Sequence, residues 1–238
     1  MIGTAGWSIP AQHAVAFPRE GSHLERYSRR FPAVEINSSF YRPHRPATYA
    51  RWAASVPAHF RFAVKMPKEI THIRRLAGAT EPLTRFLDEA GALGVTLGPI
   101  LVQLPPGLAF KPDLAGFFLD FRVRFDGAIA CEPRHRSWFT DEVDQLLTQF
   151  RIARVAADPA VVARAGVPGG WPGLRYHRLH GSPRMYYSAY PRDALDLLAR
   201  QLAQGGGEAW CIFDNTAEGA AAADAMTLTG ILDRASAG

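Results

Sequence analysis

One regularity constrains this chain more than any other: short apolar runs, rich in β-branched residues, alternate with helix-like segments. The runs are Ile2 to Ala5, Ala33 to Asn37, Arg61 to Lys65, Ile100 to Leu104, Ala128 to Glu132, Ala153 to Ala157, Leu174 to His180 and Ala209 to Asp214. Eight runs over this length give about one per 30 residues, the size of a βα unit. Ile100 to Leu104 is almost wholly apolar, as a strand covered on both faces must be.

Between the runs, Pro46 to Val56 opens with proline at an early helical position, and Thr80 is placed to cap a helix through Leu93. Thr140 is placed to cap Asp141 to Phe150, with acids in the first turn. Arg192 to Gln204 carries leucines at helical spacing and ends at three glycines, and Thr216 is placed to cap a final helix to about Asp233. After the sixth run, Val161 to Ala165 allows barely a turn before Gly166, Pro168, Gly169, Gly170 and Pro172, which predicts a loop or a degenerate helix. Strand alternating with helix predicts an α/β protein with a parallel sheet. Eight units predict a single-domain (β/α)8 TIM barrel over residues 1–238 with a degenerate or short sixth helix, ahead of an open doubly wound sheet.

Composition narrows the class. With 47% hydrophobic and 21% charged residues the chain is not disordered. The longest apolar stretch, around Leu93 to Leu104, is interrupted and too short to span a bilayer. The first residues lack a basic-then-apolar leader pattern, so a cytoplasmic location is expected. The two cysteines, Cys131 and Cys211, each sit inside a strand-like run and read as buried thiols. Charge is uneven: Arg19 to Arg75 holds twelve Arg or Lys against four acids, while the remainder is slightly acidic. That distribution points to an anionic ligand, small molecule or nucleic acid, or to a solvated basic face.

In a parallel barrel the chemistry sits at the carboxyl ends of the strands. These ends carry Trp7, Glu35 and Asn37, Lys65, Gln103, Glu132 with Arg134 and His135, Asp158, Arg178 and His180, then Asp214 and Asn215. Strand alternation puts Glu35 and Asn37 on the face opposite Ile36, and Arg178 and His180 on the face opposite His177. Buried charges must be paired, so these groups are expected to form one network around a polar mouth, with Glu35 and Glu132 opening into one wet cavity. A purely structural network, in which the glutamates neutralise Lys65 and Arg178, is the competing reading.

The strings GTAGWS, VEINSSFYRP, FAVKMPKEITH, LVQLPP, EPRHRSW, RLHG and FDNTAEGAAAADAM occur in this order. Together they resemble the YecE-like family, the domain of unknown function numbered 72, from Ile2 to about Leu232. The resemblance implies a TIM barrel and brings no established reaction with it. Its motif residues fall on Gly6, Trp7, Glu35, Asn37, Phe40, Tyr41, Lys65, Gln103, Pro105, Glu132, Arg134, Trp138, His180, Gly181 and Asn215. His177 departs from the pattern, which has a hydrophobic residue there.

The candidate catalytic residues are therefore Glu35, Glu132, Lys65 and His180. Paired carboxylates can divide acid and base roles, a desolvated lysine can form a Schiff base, and a histidine can shuttle protons. Candidate ligand-binding residues are Trp7, Asn37, Tyr41, Gln103, Arg134, His135, Arg178, Ser182, Asp214 and Asn215. Gly181-Ser182 and Asn215-Thr216 occupy the loops where barrels often hold phosphate. No local metal-ligand spacing occurs, no metal residues are assigned, and no cofactor is identified. These features describe an enzyme, a hydrolase or lyase with a glutamate pair, acting on a phosphorylated or nucleic-acid-derived ligand. The alternatives are a non-catalytic nucleic-acid binder, whose affinity would fall steeply with salt, and a partner-binding scaffold.

Overall fold

The structure, a computed structural model, describes residues 1–236. Ten strands alternate with eight α-helices. The strands are β1 (Ile2–Thr4), β2 (Ala33–Ile36), β3 (Arg61–Lys65), β4 (Leu97–Gln103), β5 (Ile129–Glu132), β6 (Ile152–Arg154), β7 (Ala156–Asp158), β8 (Gly169–Gly170), β9 (Leu174–Leu179) and β10 (Glu208–Phe213). The helices are α1 (His23–Ser28), α2 (Ser38–Tyr41), α3 (Pro46–Ala54), α4 (Thr80–Gly91), α5 (Ala115–Arg124), α6 (Asp141–Gln149), α7 (Arg192–Gln204) and α8 (Ala220–Ser236). All eight apolar runs are extended, so the α/β class with parallel pairing stands. Among the described residues no helix is long and apolar enough to cross a membrane.

The expected single ladder is replaced by two sheets, ordered β1-β10-β9-β7 and β2-β3-β4-β5-β6-β8. Two local features interrupt it. The sixth run divides at Val155: β6 pairs with β5, while β7 pairs with β9. The edge of β6 is instead covered by β8, the one antiparallel strand. Between β1 and β2 the backbones join at an Ala5–Glu35 bridge and a 2.8 Å bond from the Gly6 N–H to the Glu35 carbonyl. Nearer the amino ends a side chain replaces the ladder. The Thr4 N–H donates to the Tyr27 hydroxyl at 2.8 Å, and that hydroxyl donates to the Ala33 carbonyl at 3.0 Å. Gly3 is required beside it, because a Cβ would lie 2.0 Å from the Ala33 oxygen. Tyr27→Phe strands a buried N–H and a buried C=O, and is expected to lower the unfolding free energy by about 1–3 kcal/mol in urea titration.

The strands obey their period of two. Val34, Ile36, Phe62, Val64, Ile100, Val102, Ile129, Cys131 and Ile152 pack in the larger core with the helices. The intervening residues Ala33, Ala63, Leu101, Ala130 and Ala153 form a second core with Tyr176, Trp210 and Ile212. Alanines on β2, β3, β5 and β6 leave the room that the stacked Tyr176 and Trp210 rings fill, 6.0 Å apart. On that same face, one step toward the carboxyl ends, stand Glu35, Lys65, Gln103, Glu132 and Arg178.

Helix boundaries differ from expectation at two caps. Thr140 caps α6 through the Val143 N–H. Thr80 instead lies inside α4, where its hydroxyl reaches Asp120. Thr216 does not cap the last helix, which begins at Ala220 after a turn through Gly219.

The sixth unit is degenerate as expected, with only a 3-10 turn at Ala163–Gly166. Arg154 secures it. Its buried guanidinium meets Asp144 at 2.7 Å, donates to the Arg164 and Val167 carbonyls, and stacks on Phe139. The missing helix leaves a cavity of about 220 Å³ lined by His177, Leu179, Leu195 and Leu198. Burial there, with Arg175 nearby, lowers the His177 ring to about 4. His177 thus faces away from Arg178.

Candidate functional site

Arg178, fully buried on β9, is the centre of an ion network at the carboxyl ends of the strands. Its fork grips Glu35 side-on, with Nη2 to Oε1 at 2.6 Å and Nε to Oε2 at 3.0 Å. Its Nη1 reaches Glu132 Oε2 at 2.7 Å and its Nη2 reaches Asp214 Oδ2 at 3.1 Å. Two residues earlier on the same face, the Tyr176 hydroxyl donates to Glu35 Oε2 at 2.9 Å. Planar, bidentate pairing is what arginine offers and lysine does not.

His180 lies above. Its Nδ1 is 2.9 Å from Asp214 Oδ2 and its Nε2 is 2.9 Å from Glu132 Oε1. Arg134 Nη2 approaches both Glu132 Oε1 and His180 Nε2 at 2.6 Å. Gln103 donates to Glu132 Oε2 at 3.1 Å, and Asn37 donates to Asp214 Oδ1 at 3.4 Å. An imidazole with a carboxylate on each side can exchange a proton with either. The Tyr186 ring stands edge-on to His180 at 5.9 Å, its backbone at φ 70° and its N–H bonded to the His180 carbonyl.

The electrostatics follow from these contacts. Burial raises the Glu132 carboxyl, but Arg178, Arg134 and His180 overcome it and hold the group well below its ordinary range. Burial raises Asp214 too, and Arg178, His180 and Lys65 bring it below its usual value. Burial and Glu35 raise the Tyr176 hydroxyl well above the tyrosine range.

Lys65 differs from its neighbours. Its ammonium makes no hydrogen bond or ion pair among the described residues. It lies 4.3 Å from the centroid of Phe40, whose ring meets His72 at 4.9 Å. Burial lowers the amine, Arg178 lowers it further, and Glu35, Asp214 and Glu132 offset part of the shift. Two buried polar atoms near the mouth also lack partners: Asn37 Oδ1 and Arg134 Nε.

Glu35, Asn37, Lys65, Gln103, Glu132, Arg134, Arg178, His180 and Asp214 are therefore brought together. Five expected residues are not. Trp7 packs edge-on against Trp52 and Phe62 in the helix-facing core. Tyr41 is 70% exposed. His135 caps its own 3-10 turn through the Ser137 N–H. Ser182 is exposed. Asn215 is buried and donates to Asp224 and to the Ser188 carbonyl, tying the loop after β9 to α8. In the loop after β9 the Gly181 N–H donates to the Tyr190 hydroxyl. Glu35 and Glu132 do share surroundings, but every carboxylate oxygen of the pair is engaged and neither residue is exposed. Tyr176 was legible through strand alternation with Arg178. Tyr186 comes from a loop and carried no signal beyond being aromatic. Among the described residues no cluster of three or more His, Cys, Asp and Glu is arranged to hold a metal ion.

These features define a class: a parallel α/β protein with a buried ion network at the carboxyl ends of its strands. The chain belongs to the family described as Protein of unknown function DUF72, whose model matches residues 1–238. It is 32% identical over 151 residues to UPF0759 protein YecE of Escherichia coli K12, covering 62% of this chain and 53% of that protein. It is 28% identical over 153 residues to UPF0759 protein YunF of Bacillus subtilis, covering 58% and 52%. The matches thus span about half the length of these curated relatives. Its fold resembles a DUF72 family protein from Enterococcus faecalis V583 (TM-score 0.82, 22% identity, 98% of this chain and 94% of the other). It also resembles one from Thermotoga maritima MSB8 (TM-score 0.80, 23% identity, 98% of each).

Proposed function

We propose that this chain is an enzyme acting on a small anionic substrate at the carboxyl ends of its strands, in sheets that curve together as a (β/α)8 barrel. The barrel reading is supported by the second apolar core, which draws on strands of both sheets, and by the ion network above it, which does the same.

The single observation that carries the function is the distribution of unmet polar capacity. The three carboxylates pair with Arg178 and Arg134; Lys65 Nζ makes no hydrogen bond or ion pair among the described residues, and Arg134 Nε has no acceptor. Both can take an anion. His180, between Glu132 and Asp214, is the group suited to move a proton. Glu35 and Glu132 act as positioning residues: Glu35 fixes Arg178, and Glu132 orients His180 and Arg134.

Acetate, malonate, inorganic phosphate and a short single-stranded oligonucleotide are suitable probes in a thermal-unfolding assay. A ligand at a hundred times its Kd stabilises the native state by about 2.7 kcal/mol. The expected result is a rise in melting temperature with a small anion, absent in Lys65→Met and Arg134→Leu. An unmoved wild type, or an equal response from both variants, defeats the reading. Nucleic-acid binding is the second reading, supported by exposed Tyr41 beside the exposed cations Arg42, Arg45 and Lys68. The oligonucleotide binding tightly, with affinity falling steeply as salt rises, would favour it.

A further inference from the structure

We infer that Lys65 is a nucleophilic amine that forms a Schiff base with a small aldehyde or ketone bearing an anionic group. The inference rests on the anionic-substrate reading and names its chemistry.

Buried lysines ordinarily persist because they are ion-paired. Lys65 is only 7% exposed and is not paired in that way. The three carboxylates of the network are all taken by other donors. Glu35 is held by Arg178 and Tyr176, Glu132 by Arg178, Arg134, His180 and Gln103, and Asp214 by Arg178, His180 and Asn37. Arg178 contacts all three acids directly, Arg134 contacts Glu132, and His180 contacts Glu132 and Asp214. What stands beside the amine is the face of the Phe40 ring, 4.3 Å away, which offers no carboxylate or other proton acceptor. Burial and the positive charge of Arg178 favour the neutral amine, the form with a lone pair to share. Lys65 ends β3 on the face that carries Glu35, Glu132 and Arg178.

The step balances without an added oxidant or reductant. The amine lone pair attacks the carbonyl carbon, the C–O bond breaks, and the oxygen leaves as water. Overall one neutral amine and one carbonyl compound give one imine and one water, both hydrogens of the water coming from the amine nitrogen.

The chain has only three lysines, Lys65, Lys68 and Lys111, and the latter two are exposed, so they report non-specific labelling internally. The test is to incubate the whole protein with glyoxylate or glycolaldehyde phosphate at limiting concentration, reduce with borohydride, and map the adduct by peptide mass spectrometry. Lys65 is expected to carry several-fold more adduct than either other lysine at pH 7, because the reactive form is the neutral amine that burial favours. The glyoxylate arm reports a carboxylate-bearing partner and the phosphate arm a phosphorylated one; labelling of Lys65 in either supports the inference. Equal labelling of the three lysines, or none of Lys65, overturns it. This readout needs no variant. If malonate or phosphate stabilises the protein while Lys65 stays unlabelled, the Schiff base fails and the anion-binding reading survives. If no anion binds and yet Lys65 is labelled selectively, the anionic requirement fails and the nucleophile stands.

Discussion

Arg178→Met is expected to lower the unfolding free energy by about 3–5 kcal/mol, the cost of removing one partner of a buried ion network. Glu35, Glu132 and Asp214 would each lose their contact to the guanidinium while remaining out of water. Denaturant titration at neutral pH measures it directly. Arg178→Lys is expected to recover little, because an ammonium cannot hold Glu35 side-on and reach Glu132 as well. The pH dependence carries a second signature. Glu132 and Asp214 have lowered values in the folded protein, so the unfolded chain takes up protons first as pH falls. Their contribution to stability is full above the ordinary carboxylate range and is lost from about pH 4 downward, through the lowered folded values. The wild type should therefore lose stability on acidification more steeply than Arg178→Met. Parallel curves would mean that Arg178 does not set the carboxyls.

Arg154→Met is expected to be nearly as severe, at about 3 kcal/mol. After β7 the chain forms only a 3-10 turn, and the arginine side chain holds that turn in place. It joins Asp144 on α6 to the Arg164 and Val167 carbonyls. Methionine keeps the volume and loses every one of those bonds. Asp144 retains Arg164 at 2.7 Å, which keeps the cost below that of a wholly unpaired carboxylate. Amide hydrogen exchange should show lost protection confined to residues about 152–170, while β2 to β5 remain protected. Loss of protection throughout would show that the sixth unit is not a local module.

The fold was legible where the signal was local. Arg61–Lys65 and Arg192–Gln204 match their predicted bounds, because period-two and helical patterning and three terminal glycines are properties of contiguous residues. The caps at Thr80 and Thr216 were misread because a hydroxyl near a helix start is a common pattern that a tertiary partner can claim. Thr80 was claimed by Asp120, and the Gly219 turn postponed α8.

Alternation along the strands by itself put Glu35 with Asn37 and Arg178 with His180 on one face each, and position at the strand ends grouped Lys65 and Glu132 with them. It could not determine who holds whom. Arg178 grips Glu35 from 143 residues away and Glu132 from 46, and such pairings depend on strand order and register across the sheets. Tertiary structure decided that Arg178 neutralises both glutamates, that Lys65 is left to Phe40, and that Trp7 and Asn215 serve packing instead of the mouth. The physical reason is range. A side chain's facing is set by its own backbone over two residues, whereas the partner of a buried charge is set by which distant groups burial brings within about 3 Å.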